Sequence, residues 1–242
     1  APSGGPLVQH ALEALFEMHR KGYITVEKLV EKIAHNPAIL FEIKDRGYIR
    51  EGYKADLVLI NPNAPWTVTK ENIAYKCGWS PFEGTTFRAR VTHTFVNGHL
   101  AYENGKIAKI GKDLSDSSAT IVDATGKHLT AGIIDEHSHI ATASVNEGGQ
   151  NSSAEVSIED VIDESAIGIY RDLAGGVTSI QILHGSANPI GGRSAIIKLK
   201  WGETADNLIY KNSPKFIKFA LGENVKQSNW SSGNRYPQSR MG

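Results

Sequence analysis

The chain has 242 residues, enough for one large domain or two ordinary ones, and its 40% apolar and 21% charged content is ordinary for a globular protein. Its 26 basic and 26 acidic residues cancel, so no electrostatic argument favours nucleic acid or an anionic membrane surface as a partner. No apolar run reaches the roughly 18 residues of a membrane span, and the single cysteine, Cys77, excludes an internal disulfide and fits a reducing compartment.

Val8, Ala11, Leu12, Leu15, Phe16 and His19 recur at helical spacing and predict an amphipathic helix over 6–20 that ends near Gly22. Thr25 is a candidate N-cap for a second helix, with Val26, Leu29, Val30 and Ile33 on one face. Asn36-Pro37 opens a short third turn through Phe41. From Gly47 the pattern changes to period two. Strands are expected over 55–60, 91–96, 99–102, 106–110 and 120–123, with hairpin turns at Asn97-Gly98 and Asn104-Gly105. This reads as a small β domain over 48–130. A polar loop over 143–155 precedes a helix ending at Gly175-Gly176, a strand over 177–183 and another over 215–221. Strand–helix–strand order there suggests parallel β/α units over 131–242.

The chemistry lies in Gly132-Ile133-Ile134-Asp135-Glu136-His137-Ser138-His139. In an extended strand the side chains at i and i+2 point the same way, so both imidazoles can converge on one ion. Neutral imidazole suits zinc and similar divalent metals. Taken alone, the pair also reads as a histidine-rich strand end without metal. His10, His19, His35, His93 and His99 stand at no metal-ligand spacing to it and read as packing or surface. Cys77 has no neighbouring base. Gly191-Gly192 near Ser186 lacks the Gly-Lys-Ser/Thr of a phosphate loop.

With the preceding Gly126-Lys127-His128-Leu129-Thr130-Ala131-Gly132, the His-x-His strand resembles the first barrel strand of the amidohydrolase superfamily. Two parts of the chain resemble two of its families. Residues 1–107 are similar to the C-terminal part of a bacterial dihydroorotase, on Ala1-Pro2-Ser3-Gly4-Gly5-Pro6-Leu7-Val8-Gln9-His10, His35-Asn36-Pro37-Ala38, the Gly47–Leu59 segment, Lys76-Cys77-Gly78-Trp79-Ser80-Pro81-Phe82-Glu83-Gly84 and Val91–Gly98. Residues 103–242 are similar to the N-terminal part of an imidazolonepropionase-like bacterial amidohydrolase, on Glu103–Gly111, His137-Ser138-His139, Gly175-Gly176-Val177-Thr178 and His184–Gly192. The two meet at Glu103-Asn104-Gly105-Lys106-Ile107. The chain thus reads as the tail of one enzyme joined to the head of another, as a folded hybrid or as an assembly artefact.

The resemblance implies an α/β fold: a partial (β/α)8 TIM-type barrel and a small β-sandwich built from both family termini. The segments expected are 1–47 as C-terminal barrel helices, 48–130 as the sandwich and 131–242 as the first β/α units. It implies a metal-dependent hydrolase that opens a cyclic amide C–N bond with metal-activated water. Zn2+ or another divalent metal would be the cofactor, a small cyclic amide the substrate and a homo-oligomer the open assembly, with no nucleic acid or membrane partner. His137 and His139 would be the first two ligands, with Lys218 or Glu223 as a candidate third; a solvated strand-end lysine and a loop glutamate are their plainer readings. Ser3, Gly4 and Gly5 would touch the substrate ring, or simply make a Gly-Pro turn. His184 would face the pocket mouth as a substrate contact, or be structural. The family's catalytic Asp is not present.

About 160 residues lie outside the sandwich, and at roughly 30 per β/α unit they hold at most about five of eight units. The alternative is therefore a non-catalytic truncated hybrid or scaffold chain without a complete metal site. A cytoplasmic location is expected from the first resemblance, whereas relatives of the second part include exported proteins.

Overall fold

The computed structural model describes residues 6–75, 77–97, 107, 110–112, 114 and 116–226. The fold is mixed α/β with several small sheets. It divides into two compact units, Ala1–Ile134 with Tyr170–Ser179 and Asp135–Ile169 with Ile180–Gly242.

In the first unit a 3-10 turn at Val8–His10 leads into α1 (Ala11–Arg20). Leu12 and Phe16 are buried as the periodicity expects, whereas His19 is exposed. Gly22 ends the helical segment with a φ of 78°, a left-handed conformation open to glycine at little cost. Thr25 caps α2 (Val26–Val30), its Oγ1 accepting the Lys28 amide at 3.2 Å. The helical run continues through a π turn at Glu31–His35 into α3 (Asn36–Leu40), with Pro37 in its first turn.

The first strand, β1 (Leu57–Asn61), is the centre of this unit. The next two, β2 (Trp66–Thr67) and β3 (Thr86–Phe87), form a two-stranded antiparallel sheet. Two longer strands, β4 (Arg90–Phe95) and β5 (His128–Ala131), flank β1 on either side, both antiparallel. Leu57, Val58, Leu59 and Ile60 are all buried, so β1 is covered on both faces. One face joins Ala55, Phe95 and Ile107 in a core cluster. On the other, Val58 lies so near Gly176 that a Cβ there would stand 3.0 Å from its methyls.

The expected strand over 120–123 does not form, and Ile121 is 86% exposed. The edge of β1 is taken instead by His128–Ala131, where Thr130 and Ala131 are buried and pair with Val58 and Leu57. The expected strands over 99–102 and most of 106–110, the turn at Asn104-Gly105 and the junction near 103–107 lie outside the described residues, Ile107 and Ile110 excepted. Asn97 is described, and its φ of 55° is the left-handed conformation that an Asn-Gly turn requires.

The next strand, β6 (Ile133–Ser138), contributes its first two residues to the first unit and the rest to the second. It is followed by the polar loop, a 3-10 turn at Ile158–Val161, α4 (Ile167–Ala174) and β7 (Val177–Ile182). Backbone bonds from Ile133 to Gly176 and from Leu183 to Ser138 step in the same direction along both strands, so β6 and β7 run parallel around the helical crossover. Gly132 is required where β5 turns into β6, because a Cβ there would stand 2.3 Å from the Thr178 side chain.

The second unit adds β8 (Ile190–Arg193), β9 (Ala195–Lys198), α5 (Ala205–Leu208) and β10 (Ile217–Phe219). The sheet order is β6-β7-β9, so the third strand of the sheet is Ala195–Lys198 and not the 215–221 segment. That segment forms β10 and pairs antiparallel with β8, Ile217 opposite Arg193 and Phe219 opposite Ile190. The described residues thus contain one parallel β/α/β unit and no closed barrel. No helix among them is long and apolar enough to cross a membrane.

Candidate functional site

The sheet delivers His137 and His139 at the C-terminal end of β6. Ile133 and Ile134 bury their side chains and anchor the strand, and Ser138 is buried again between the two exposed histidines. Alternation then puts the two imidazoles on one side, their centroids 5.1 Å apart and their planes nearly perpendicular at 88°.

Each ring is held by its surroundings. The Leu183 carbonyl faces His139 Nδ1 at 2.8 Å. A carbonyl only accepts, so Nδ1 carries the hydrogen and Nε2 keeps its lone pair. This is the second-sphere arrangement that orients a metal-binding histidine. The Asp135 Oδ1 accepts the His137 backbone N–H at 3.1 Å. Burial pushes the Asp135 carboxyl above its ordinary range. Burial first, and then Lys218 and the neighbouring His139, hold His137 below the usual histidine value, against the opposing pull of Asp135 and Glu136. The neutral, ligand-competent form of His137 is therefore favoured.

Of the two candidates for a third group, Lys218 lies on β10 within electrostatic range of His137, and burial lowers its own pKa. Glu223 sits in a 3-10 turn, pairs with Lys226 and is 54% exposed at its side chain. An unmodified ammonium donates hydrogens and has no lone pair to give a metal. Among the described residues no group of three or more His, Cys, Asp or Glu side chains is arranged to hold a metal ion. Catalytic zinc sites use three protein ligands. The donors present fit a corner of such a centre and do not fit a complete one.

His184, read from the sequence as a substrate contact or as structural, follows β7. It is 3% exposed and bonded on both ring nitrogens to backbone, Nε2 to the Glu147 amide at 2.7 Å and Nδ1 to the Gly185 carbonyl at 2.8 Å. The apolar strand before it and the glycines after it draw the ring inward. Ser3, Gly4 and Gly5 lie outside the described residues.

A second polar centre, in the first unit, is one that sequence reasoning missed. His10 is fully buried, within ring contact of Trp66, Tyr75, Phe82 and Phe87, with Nδ1 3.2 Å from Ser80 Oγ and Nε2 lacking a hydrogen-bond partner among the described residues. One turn later Glu13 is 3% exposed; Oε1 accepts the Val91 amide at 3.3 Å, and Oε2 is likewise unpartnered. Desolvation raises the Glu13 carboxyl to about 7. The signal was a histidine and a glutamate one turn apart beside Leu12 and Phe16, but the groups that bury them come from far along the chain. Of the other histidines, His35 stacks on Tyr48 at 4.1 Å and His93 on Phe95 at 6.0 Å, while His99 lies outside the described residues. Cys77 is exposed and unpaired with any other cysteine.

Residues 5–101 match the amidohydrolase family model. The chain is 34% identical over 110 residues to a dihydroorotase of Pyrococcus horikoshii, covering 46% of this chain and 26% of that protein. It is 36% identical over 105 residues to a dihydroorotase of Clostridium acetobutylicum, covering 43% and 24%. Among solved structures it resembles an amidohydrolase from Thermotoga maritima, with a TM-score of 0.52 and 37% identity over 59% of this chain and 39% of that one. The chain thus spans about a quarter of the length of these curated relatives. Resemblance to the amidohydrolase superfamily, with a dihydroorotase-like part, is carried by sequence and by structure.

Proposed function

We propose that the chain is a dihydroorotase-like amidohydrolase, of the class that opens a C–N bond in a small cyclic amide, and that its described residues supply an incomplete site. The observation that carries this reading is the His137–His139 pair at the end of β6, with His139 Nδ1 committed to Leu183 so that Nε2 is left to ligate. The match of residues 5–101 to the amidohydrolase family supports this reaction class. Zn2+ or another divalent metal is the cofactor the reading implies, and His137 and His139 are the side chains that would bind it. Lys218 is preferred over Glu223 as the neighbouring third group, because it acts on His137 while Glu223 pairs with Lys226. A partial TIM-type barrel with a β-sandwich, and a cytoplasmic location, belong to the same proposal. Ser3, Gly4 and Gly5 remain its candidates for contact with the substrate ring.

The shortage of donors favours the non-catalytic state for this chain by itself. Two imidazoles by themselves hold a divalent ion weakly. The test is hydrolysis of dihydroorotate by the purified chain supplied with Zn2+, with metal content measured after gel filtration. The expected rate is that of buffer, with metal well below one equivalent. Clear turnover abolished by His137→Ala, or tightly retained stoichiometric zinc, would sink the incomplete-site reading.

A further inference from the structure

The His184–Gly192 stretch takes no part in the proposed chemistry, yet it is among the most tightly built segments of the second unit. His184 accepts the Glu147 N–H at Nε2, so that nitrogen bears no hydrogen; Nδ1 therefore carries it and donates to the Gly185 carbonyl. Four residues on, Asn188 is fully buried, and its Nδ2 lies 2.9–3.0 Å from the Glu147 carbonyl, the Gln150 carbonyl and Ser153 Oγ. Gly185 completes the attachment by donating its N–H to the Val145 carbonyl at 2.7 Å.

The glycines have a specific reason to be there. A Cβ on Gly191 would stand 2.7 Å from His184 Nδ1, and one on Gly192 would stand 2.7 Å from a Val156 methyl. On Gly185 it would meet Asn146 Oδ1 at 2.0 Å. The motif is thus shaped around the imidazole and around the loop that the imidazole holds. That loop is the polar segment following the His-x-His strand. Leu183, the residue just before His184, supplies the carbonyl that sets the His139 tautomer, and its N–H donates to the Ser138 carbonyl at 3.0 Å.

We infer that His184 is a positioning residue: it latches the 145–153 loop and, through the adjoining Leu183 carbonyl, holds His139 with its hydrogen on Nδ1 and its Nε2 free. The importance of His139 rests on the reading given under Proposed function, whereas the latch is a property of the metal-free chain. A histidine serves here because one neutral ring accepts a backbone N–H and donates to a backbone carbonyl at once. Alanine does neither. Glutamine, through its carboxamide, can do both.

The test uses the full, metal-free chain with nitrogen-15-labelled histidine, at mildly alkaline pH. In the wild type, NMR is expected to show His184 and His139 both protonated at Nδ1. His184→Ala, checked for folding by far-UV circular dichroism, is expected to speed amide exchange at Glu147 and Gly185 by about tenfold, the loss of one hydrogen bond's worth of protection. It should also shift His139 toward the Nε2–H tautomer that free imidazole side chains favour. His184→Gln should recover most of both effects. A wild-type His184 protonated at Nε2 overturns the latch even if no variant folds. Unchanged exchange in folded His184→Ala overturns it as well, and an unchanged His139 tautomer overturns the positioning role. A chain that passes these measurements and yet turns over dihydroorotate with tightly retained zinc keeps the latch and fails only the incomplete-site reading.

Discussion

Glu13 offers a quantitative test of the first unit. Its carboxyl is 3% exposed on α1, with Oε1 on the Val91 amide, Oε2 without a partner among the described residues, and Arg90 as the opposing cation. Burial is the largest influence and lifts the carboxyl from 4.5 to about 7. A carboxyl raised in the folded state contributes stability that is fully present below its unfolded value and is lost as pH rises through the folded one. The shift of about 2.5 units corresponds to roughly 3 kcal/mol at 1.36 kcal/mol per unit. That is a large part of a typical 5–15 kcal/mol domain stability. Glu13→Gln keeps the oxygen facing Val91 and removes the ionisation. Urea unfolding followed by tryptophan fluorescence, from pH 4.5 to 8.5, should show the variant gaining on the wild type as pH rises. The gain should start above about pH 4.5 and level off above about pH 7. Groups common to both proteins, His10 included, cancel in the difference. A difference that stays flat across this range, or that grows toward acid, would refute the argument that Glu13 is buried and desolvated.

Glu42 occupies the position after α3 where glycine is usual: its φ is 51°, its N–H bonds to Ile39 and the Ile43 N–H reaches back to Ala38. Glu42→Gly is therefore expected to raise stability by about 1 kcal/mol, read as a higher melting temperature; a lower one would contradict the backbone argument. Asp56 forms a buried ion pair with Arg46 and also accepts the Asn97 amide at 2.9 Å. Asp56→Ala leaves a buried guanidinium without its counter-ion and should cost about 3–5 kcal/mol in urea titrations, and a loss under about 1 kcal/mol would mean that the pair is hydrated. His137→Ala and His139→Ala should each abolish the weak residual zinc binding of the wild type, measured by calorimetry, and retained binding in both would place the metal elsewhere.

Local patterning carried a good part of the fold because its determinants are close in sequence. Leu12 and Phe16 sit one turn apart, Thr25 reaches only to Lys28, and the His137–His139 convergence follows from strand alternation. Other features depend on partners that no local pattern names. The 120–123 segment has strand-like residues but pairs with no strand among the described residues, whereas His128–Ala131 pairs with β1. The strand Ile190–Arg193 begins after Pro189 and contains two glycines, a composition that reads as a loop until β10 arrives to pair with it. Periodicity gave His10 and Glu13 no reason to be buried, since their cover comes from Trp66, Tyr75, Phe82, Phe87 and Val91, more than fifty residues away.

The amino-acid order by itself determined the amidohydrolase resemblance and the pairing of two imidazoles, because spacing along one strand decides which side chains share a side. Tertiary structure alone decided which ring nitrogens remain available. His139 keeps Nε2 free and His184 keeps neither nitrogen free, because each tautomer is set by a backbone group that only folding brings within hydrogen-bond distance.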